Sequence, residues 1–354
     1  MFDYHSDRRK YFDILVSSTE KYVIPFIERR IPVRPGMRVL EVGCGEGGVL
    51  KSFLDRGCVC VGIDTDPNRV DNGRRWLDED VRENRLRFVV KDIYQAAGEI
   101  REAVEEMHPP GIRETSLASA GRSGETAGVT ARVVEMSAET YGVSAGNDKK
   151  AAEIYEHPAV KSAPYTYTPY PAKHYTRTLS DALSNSLSYS GTAQSGTALF
   201  DIIILKDTIE HIPEQSKLIA LLKTYLCRGG VIFFGFPPWQ MPFGGHQQMC
   251  RNKWLSVLPY YHLLPVRLYR SILRRFREPV EDLLDIRGTR LSIEDFERIT
   301  RSNGYTIVGR QHYLLNPIYE WKFGWKPRTQ LPLIRDIPFL RNFVTSCAYY
   351  LVTS

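Results

Sequence analysis

The chain has 354 residues, 43% hydrophobic and 25% charged, with a formal net charge of +6 and a pI near 8.9. That composition is globular and long enough for one large α/β domain with additions, and it excludes a fibrous or wholly disordered chain. The mild basicity without dense Lys/Arg blocks argues against nucleic acid as the main partner. The lack of an apolar run near ~18 residues or of a charged-then-apolar leader, with six scattered cysteines, predicts a cytoplasmic protein with reduced thiols and no transmembrane segment.

Residues 1–36 mix Tyr11, Phe12, Leu15, Tyr22, Phe26 and Ile27 with charges, which predicts an N-terminal helical cover of one or two helices broken near Pro25. Met37–Val42 is rich in β-branched residues and leucine and reads as a buried strand. It runs into Gly43-Cys44-Gly45-Glu46-Gly47-Gly48, and a helical pattern of Val49, Leu50, Phe53 and Leu54 follows. Strand, glycine turn and helix together open a nucleotide-binding unit, and Gly43, Gly45 and Gly48 satisfy the GxGxxG spacing. A second apolar strand, Cys58–Asp64, ends in an acid about twenty residues beyond the loop, where a carboxylate accepts from ribose hydroxyls. Asp66-Pro67-Asn68 reads as a helix N-cap. A helix with Val70, Trp76 and Leu77 leads to a third strand, Leu86–Val90, ending at Lys91-Asp92.

From 97 to 198 the chain is rich in Ser, Thr, Ala, Gly, Tyr and Pro and, apart from a helical pattern at Ile100–Met107, lacks sustained periodicity. It reads as a long low-complexity insertion, largely disordered or loosely packed, far beyond the usual connection length. Order resumes at Ile202–Leu205, a continuous apolar run of the kind buried on both faces of a parallel sheet, followed by Lys206-Asp207-Thr208-Ile209-Glu210-His211. A helix (Leu218, Leu221, Leu222, Tyr225), a turn at Arg228-Gly229-Gly230 and a fifth strand, Val231–Phe234, are expected next. Beyond it, Pro237-Pro238-Trp239-Gln240 to Gly244-Gly245-His246 offers aromatic, amide and imidazole groups at the carboxyl edge of the sheet, where ligands bind. Arg267, Arg270, Arg274 and Arg277 share one side of a predicted helix that would cover a substrate or touch an anionic membrane. Ser292–Asp295 reads as a capping box, Tyr305–Arg310 as the sixth strand and Ala348–Val352 as the seventh. The intervening Tyr319, Trp321, Phe323 and Trp325 are expected to pack across the sheet edge.

Glu41, an acid two residues before Gly43, resembles the E/DxGxGxG loop of class I S-adenosylmethionine-dependent methyltransferases. Asp207-Thr208-Ile209-Glu210-His211 resembles the ExxEH motif of their ubiquinone-biosynthesis-type O-methyltransferase branch, with Asp207 in place of the first Glu. The resemblance is strong over 37–92 and 200–235 and weaker over 236–250 and 290–352. It implies a Rossmann-like, doubly wound α/β fold with a seven-stranded, mostly parallel sheet and an antiparallel last strand. The methyltransferase domain would comprise 37–96 and 199–354, with a substrate lid at 239–289. The implied cofactor is S-adenosyl-L-methionine, held by Glu41, Gly43, Cys44, Gly45 and Gly47, by Asp64 on the ribose, by Asp92 and Ile93 on the adenine, and by Lys206 and Asp207. His211 and His246 are the implied catalytic residues. Either one serves directly as base, or both join Asp207 and Glu210 around a divalent metal ion, or Glu210 and His211 only order the cofactor loop. The acceptor would be a small molecule, quinone or lipid-like, or a glycan, methylated on oxygen, with peripheral membrane contact as a further partner. A noncatalytic interaction protein on a degenerate Rossmann-like fold and an RNA methyltransferase are the rival readings.

Overall fold

The computed structural model describes residues 7–107 and 199–354. Most of the insertion expected at 97–198 lies outside the described residues.

Strands β1 (Arg38–Val42), β2 (Val59–Asp64), β3 (Leu86–Val90), β4 (Phe200–Lys206), β5 (Leu226–Phe236), β6 (Thr306–Leu315), β7 (Arg328–Thr329) and β8 (Cys347–Thr353) form one sheet in the order β3-β2-β1-β4-β5-β8-β6-β7. β1 to β5 pair in parallel, and β8 enters antiparallel between β5 and β6. The seven expected strands are therefore present, with the last one antiparallel. β7 is an addition of two residues paired to the end of β6, too short to leave a periodic pattern in the sequence.

Alternation along β4 explains the layers. Ile203 and Leu205 face one core with Ile100, Leu218, Leu222 and Phe296, while Ile202 and Ile204 face the other with Phe12, Phe26, Val49 and Phe53. Helices Ala97–Glu106, Gln215–Tyr225 and Ile293–Ser302 thus cover one side of the sheet, and Arg8–Ser18 and Gly48–Leu54 the other. Each fully buried Leu, Ile or Phe contributes about 1.5–3 kcal/mol, so the central strands anchor both layers.

Several boundaries differ from the sequence reading for identifiable reasons. The N-terminal segment does not break at Pro25. It runs through a π-helical turn, Thr19–Val23, into Ile24–Ile27, where Pro25 occupies a first-turn position whose missing N–H goes unused. Ala97–Glu106 is a helix packed on the sheet through Ile100, Ala103 and Val104, so the ordered domain extends ten residues into the interval assigned to the insertion. Arg228-Gly229-Gly230 turns within the span of β5, where the pairing jumps from Phe200–Leu226 to Ile202–Val231, with Gly229 at φ +81° and Cys227 O closing onto Gly230.

At its carboxyl end β5 leads into residues 237–290, which form a small helical module around its own apolar cluster of Trp239, Leu255, Tyr261, Tyr269, Leu273 and Leu283. After β6, helix Tyr319–Phe323 returns toward the N-terminal cover. Trp321 meets Tyr22 edge-on with ring centroids 5.9 Å apart, and Glu320 accepts from Lys21 at 2.7 Å and from Tyr22 at 2.5 Å. No helix among the described residues is long and apolar enough to cross a membrane.

Candidate active site

The parallel pairing brings the ends of β1, β2 and β4 level, with Glu41 opposite both Gly62 and Ile204. The glycine loop is tied to β2 by Gly43 N donating to Ile63 O at 2.7 Å and Cys44 N at 3.0 Å. Asp64 is buried and takes both remaining amides of the crossing, accepting from Gly45 N at 2.7 Å on Oδ2 and from Asp66 N at 2.9 Å on Oδ1. Burial raises its pKa against the pull of those two amides. Asp66 instead caps helix Pro67–Trp76 through Asn68 N, as its sequence context predicts.

The glycines divide the work. A Cβ on Gly43 would lie 2.6 Å from the Thr208 side chain, and one on Gly47 3.0 Å from Phe88, so both permit close packing inside the protein. A Cβ on Gly48 would meet Phe12 O at 3.0 Å and Leu15 Cβ at 2.9 Å, because the N-terminal helix lies directly on it. Gly45, at φ +52°, is the loop position with open space beside it, its nearest neighbour being Arg69 Cδ at 3.9 Å. Arg8 closes the cover by gripping buried Glu46 through two bonds, 2.7 and 2.5 Å. Cys44 Sγ packs toward β2, so this residue offers the cleft its backbone.

Glu41 is buried with Oε2 lacking a hydrogen-bond partner among the described residues. Burial first, and Asp64 after it, hold its carboxyl well above the usual range against Lys206. At the third strand's end, Asp92 accepts from Tyr94 N at 2.8 Å and Ile93 is buried beside it.

At the end of β4, Lys206 is buried and its Nζ bonds Asp207 Oδ2 at 2.6 Å. Asp207 adopts φ +53°, which turns its carboxylate back onto that ammonium. Glu210 is buried with Oε2 unpartnered among the described residues, and burial, then Asp207, drives its pKa well up. His211 stacks at a tilt on His246, ring centroids 4.7 Å apart. Burial lowers the His211 pKa to about 3 and the His246 pKa to about 4, so both rings are neutral at pH 7.

These placements give the metal expectation no support. Among the described residues no group of three or more His, Cys, Asp or Glu side chains is arranged to hold an ion. Asp207 is paired with Lys206, and although Glu210 Oε1 lies 3.9 Å from His211 Nε2 and the His211 and His246 rings 4.7 Å apart, these side chains do not form a group of three ligands.

The exit loop is fixed by residues the sequence reading did not single out. Buried His262 joins Gln247 Nε2 at 2.8 Å through Nδ1 and Trp239 O at 2.8 Å through Nε2. The Gly244-Gly245 pair admits this contact, since a Cβ on Gly245 would lie 2.3 Å from His262 Cβ. Tyr11 and Lys322 approach the cleft from the cover, with Lys322 Nζ 6.0 Å from the Tyr11 ring. Burial lowers the Lys322 pKa to about 8, with Asp207 opposing it. Thr208, Tyr11, His262 and Lys322 carry no local sequence signal, because partners far along the chain give them their roles.

Residues 16–308 match the family model described as a methyltransferase domain, and the chain belongs to that family. It is an enzyme with the Rossmann-like fold of class I S-adenosylmethionine-dependent methyltransferases. Among curated proteins the sequence has no match. Similar solved structures include a geranyl diphosphate methyltransferase in complex with SAM, at 12% identity and TM-score 0.41, covering 95% of this chain and 83% of that one. A putative sarcosine dimethylglycine methyltransferase from Galdieria sulphuraria has 8% identity and TM-score 0.44, covering 94% and 84%. A Haloferax volcanii complex between the Trm112 methyltransferase activator and a putative methyltransferase has 11% identity and TM-score 0.43, covering 99% and 95%.

Proposed function

We propose that the chain methylates an oxygen of a small, quinone-type or lipid-like acceptor, as the ubiquinone-biosynthesis branch does, with His246 taking the acceptor's proton. The observation that carries this reading is the half-buried His211–His246 pair, in which both rings are neutral, the Gly244 backbone lies against the His246 ring, and His246 Nδ1 makes no well-formed hydrogen bond among the described residues. A neutral imidazole nitrogen shielded from water is suited to accept a proton from a hydroxyl aligned beside it.

The cleft suits S-adenosyl-L-methionine on its own chemistry. Asp64 spends one acceptor site per oxygen on the loop amides and keeps a second on each for ribose hydroxyls. Gly45 leaves room for close backbone approach, Asp92 would meet the adenine amine and Ile93 the ring face, and Glu41 has an orphan oxygen for a donor. When bound, S-adenosyl-L-methionine supplies an electrophilic methyl: the acceptor oxygen bonds to that carbon, the S–C bond breaks, and its electron pair stays on sulfur. His246 Nδ1 receives the hydroxyl proton, and His211 holds the His246 ring in place by contact. Lys206 and Asp207 form a neutral ion pair on the cleft floor, and the 239–289 module serves as the lid that excludes water.

Calorimetric binding of S-adenosylhomocysteine, alongside turnover on a hydroquinone with and without an alkyl tail, tests the assignment. Asp64→Ala is expected to lose binding. His246→Asn, which tolerates that residue's φ of +54°, should keep binding and lower kcat by about 10²–10⁴-fold. Full turnover by His246→Asn would remove it as the base.

A further inference from the structure

β5 and β6 run parallel to β1, so the chain leaves both strands at the sheet edge that carries the glycine loop, Asp207 and His246. The two departing segments, 237–290 and 316–346, meet each other. Tyr260 OH donates to Phe343 O at 2.9 Å, and the two rings lie 6.4 Å apart.

On these joined segments, large apolar side chains face solvent, in the 237–290 module directly over its own apolar cluster. Trp254 is 81% exposed while its neighbour Leu255 is buried in the module's cluster, and Leu333 and Phe339 are 79% and 69% exposed. Soluble surfaces scatter such residues singly, whereas a concentration of them marks an interaction face. The same module presents helix Val266–Arg275, which buries Tyr269 and Leu273 and turns Arg267, Arg270 and Arg274 outward at helical spacing. None of these arginines has an acidic partner among the described residues. Charge that the fold leaves uncompensated, beside protruding aromatic and aliphatic groups, is complementary to phosphate headgroups over acyl chains.

We infer that this edge docks on an anionic lipid bilayer, with Trp254, Leu333 and Phe339 inserted among the headgroups and Arg267, Arg270 and Arg274 paired with lipid phosphates. Docked in this way, the active-site edge faces the interface, and a lipid-like acceptor enters the cleft from the bilayer. The inference rests on the proposed acceptor class for its functional meaning, while the surface itself stands on exposure and charge.

Sedimentation of the full chain with vesicles of phosphatidylcholine alone, or mixed with phosphatidylglycerol, tests it. The chain is expected to sediment with the mixed vesicles, to be released by added salt, and to bind pure phosphatidylcholine far more weakly. R267Q/R270Q/R274Q should weaken partition on the order of 100-fold, from roughly fivefold per arginine at an anionic surface. W254S/L333S should weaken it independently, with the salt dependence retained. Equal partition onto both vesicle types, no sedimentation with the mixed vesicles, or an undiminished arginine variant would each overturn the proposal. S-adenosylhomocysteine binding, measured on each protein without vesicles, separates the two readings. Retained cofactor binding with no vesicle binding refutes the docking surface alone, and vesicle binding by a wild-type chain that ignores S-adenosylhomocysteine refutes the methyltransferase assignment alone.

Discussion

The Lys206–Asp207 pair makes an asymmetric prediction. The ammonium side chain is 5% exposed and the carboxylate 37%, with 2.6 Å between Nζ and Oδ2. Asp207→Asn keeps a residue that accepts φ +53° but strands a buried cation, and breaking a buried pair in that sense costs about 3–5 kcal/mol. The lower end applies, because Glu41 and Glu210 both feel Lys206 and can ionise to compensate it. Lys206→Met leaves behind a carboxylate that water already reaches, a loss of about 1 kcal/mol or less. The double variant then resembles Lys206→Met, giving a coupling energy of about 3 kcal/mol. Urea unfolding at pH 7, followed by circular dichroism on all four proteins, measures the cycle. Equal losses for the two single variants, or strict additivity, would show that the ammonium is not buried against Asp207 as described.

The two loop glycines should separate in the same assay. Gly43→Ala and Gly45→Ala share a left-handed backbone cost of about 1–2 kcal/mol, but only Gly43→Ala also drives a methyl into Thr208, so its stability loss should be the larger, while both weaken S-adenosylhomocysteine binding. Equal stability losses would contradict the Gly43–Thr208 packing. The two site histidines set a pH dependence of known sign. With its pKa lowered to about 4, His246 contributes stability that is complete above the unfolded value of 6.5 and is lost as pH falls toward about 4, at up to about 1.4 kcal/mol per pH unit. Glu41 and Glu210, whose pKa values are raised, act oppositely above pH 4.5, so the clean measure is wild type minus His246→Asn. That difference should shrink as pH is lowered from 6.5. A constant difference would mean that His246 is solvated.

What the sequence disclosed was what adjacent residues dictate. The apolar runs of β1, β2 and β4 are buried strands because every side chain in them meets a layer, and the loop that follows β1 needs left-handed backbone at Gly43, Gly45 and Gly47. The N-cap at Asp66 and the capping box at Ser292 were equally local and equally readable. The arginine stripe was visible at 267, 270 and 274, whereas Arg277 falls beyond the helix at φ +57°. The insertion of β8 between β5 and β6, and the two-residue β7, depend on pairings across the chain that no window of sequence contains.

The site's electrostatics were hidden for the same reason, and they change its chemistry. An acid, a histidine and a second acid after a strand suggest metal ligands when only residue types are counted. Folding buries Lys206 at that strand's end and gives Asp207 a left-handed backbone, so the Asp207 carboxylate neutralises a buried ammonium. Burial then raises the Glu210 carboxyl pKa well above its usual range and leaves both imidazoles uncharged, while the nearest anion, Asp207, is paired with Lys206. An imidazole whose Nδ1 is neutral, enclosed and without a well-formed hydrogen bond suits the proposed proton-accepting role better than that of one ligand among several. On the proposed function, the difference between a metal centre and a general base at this position therefore lies in Lys206, a residue that the motif itself leaves unspecified.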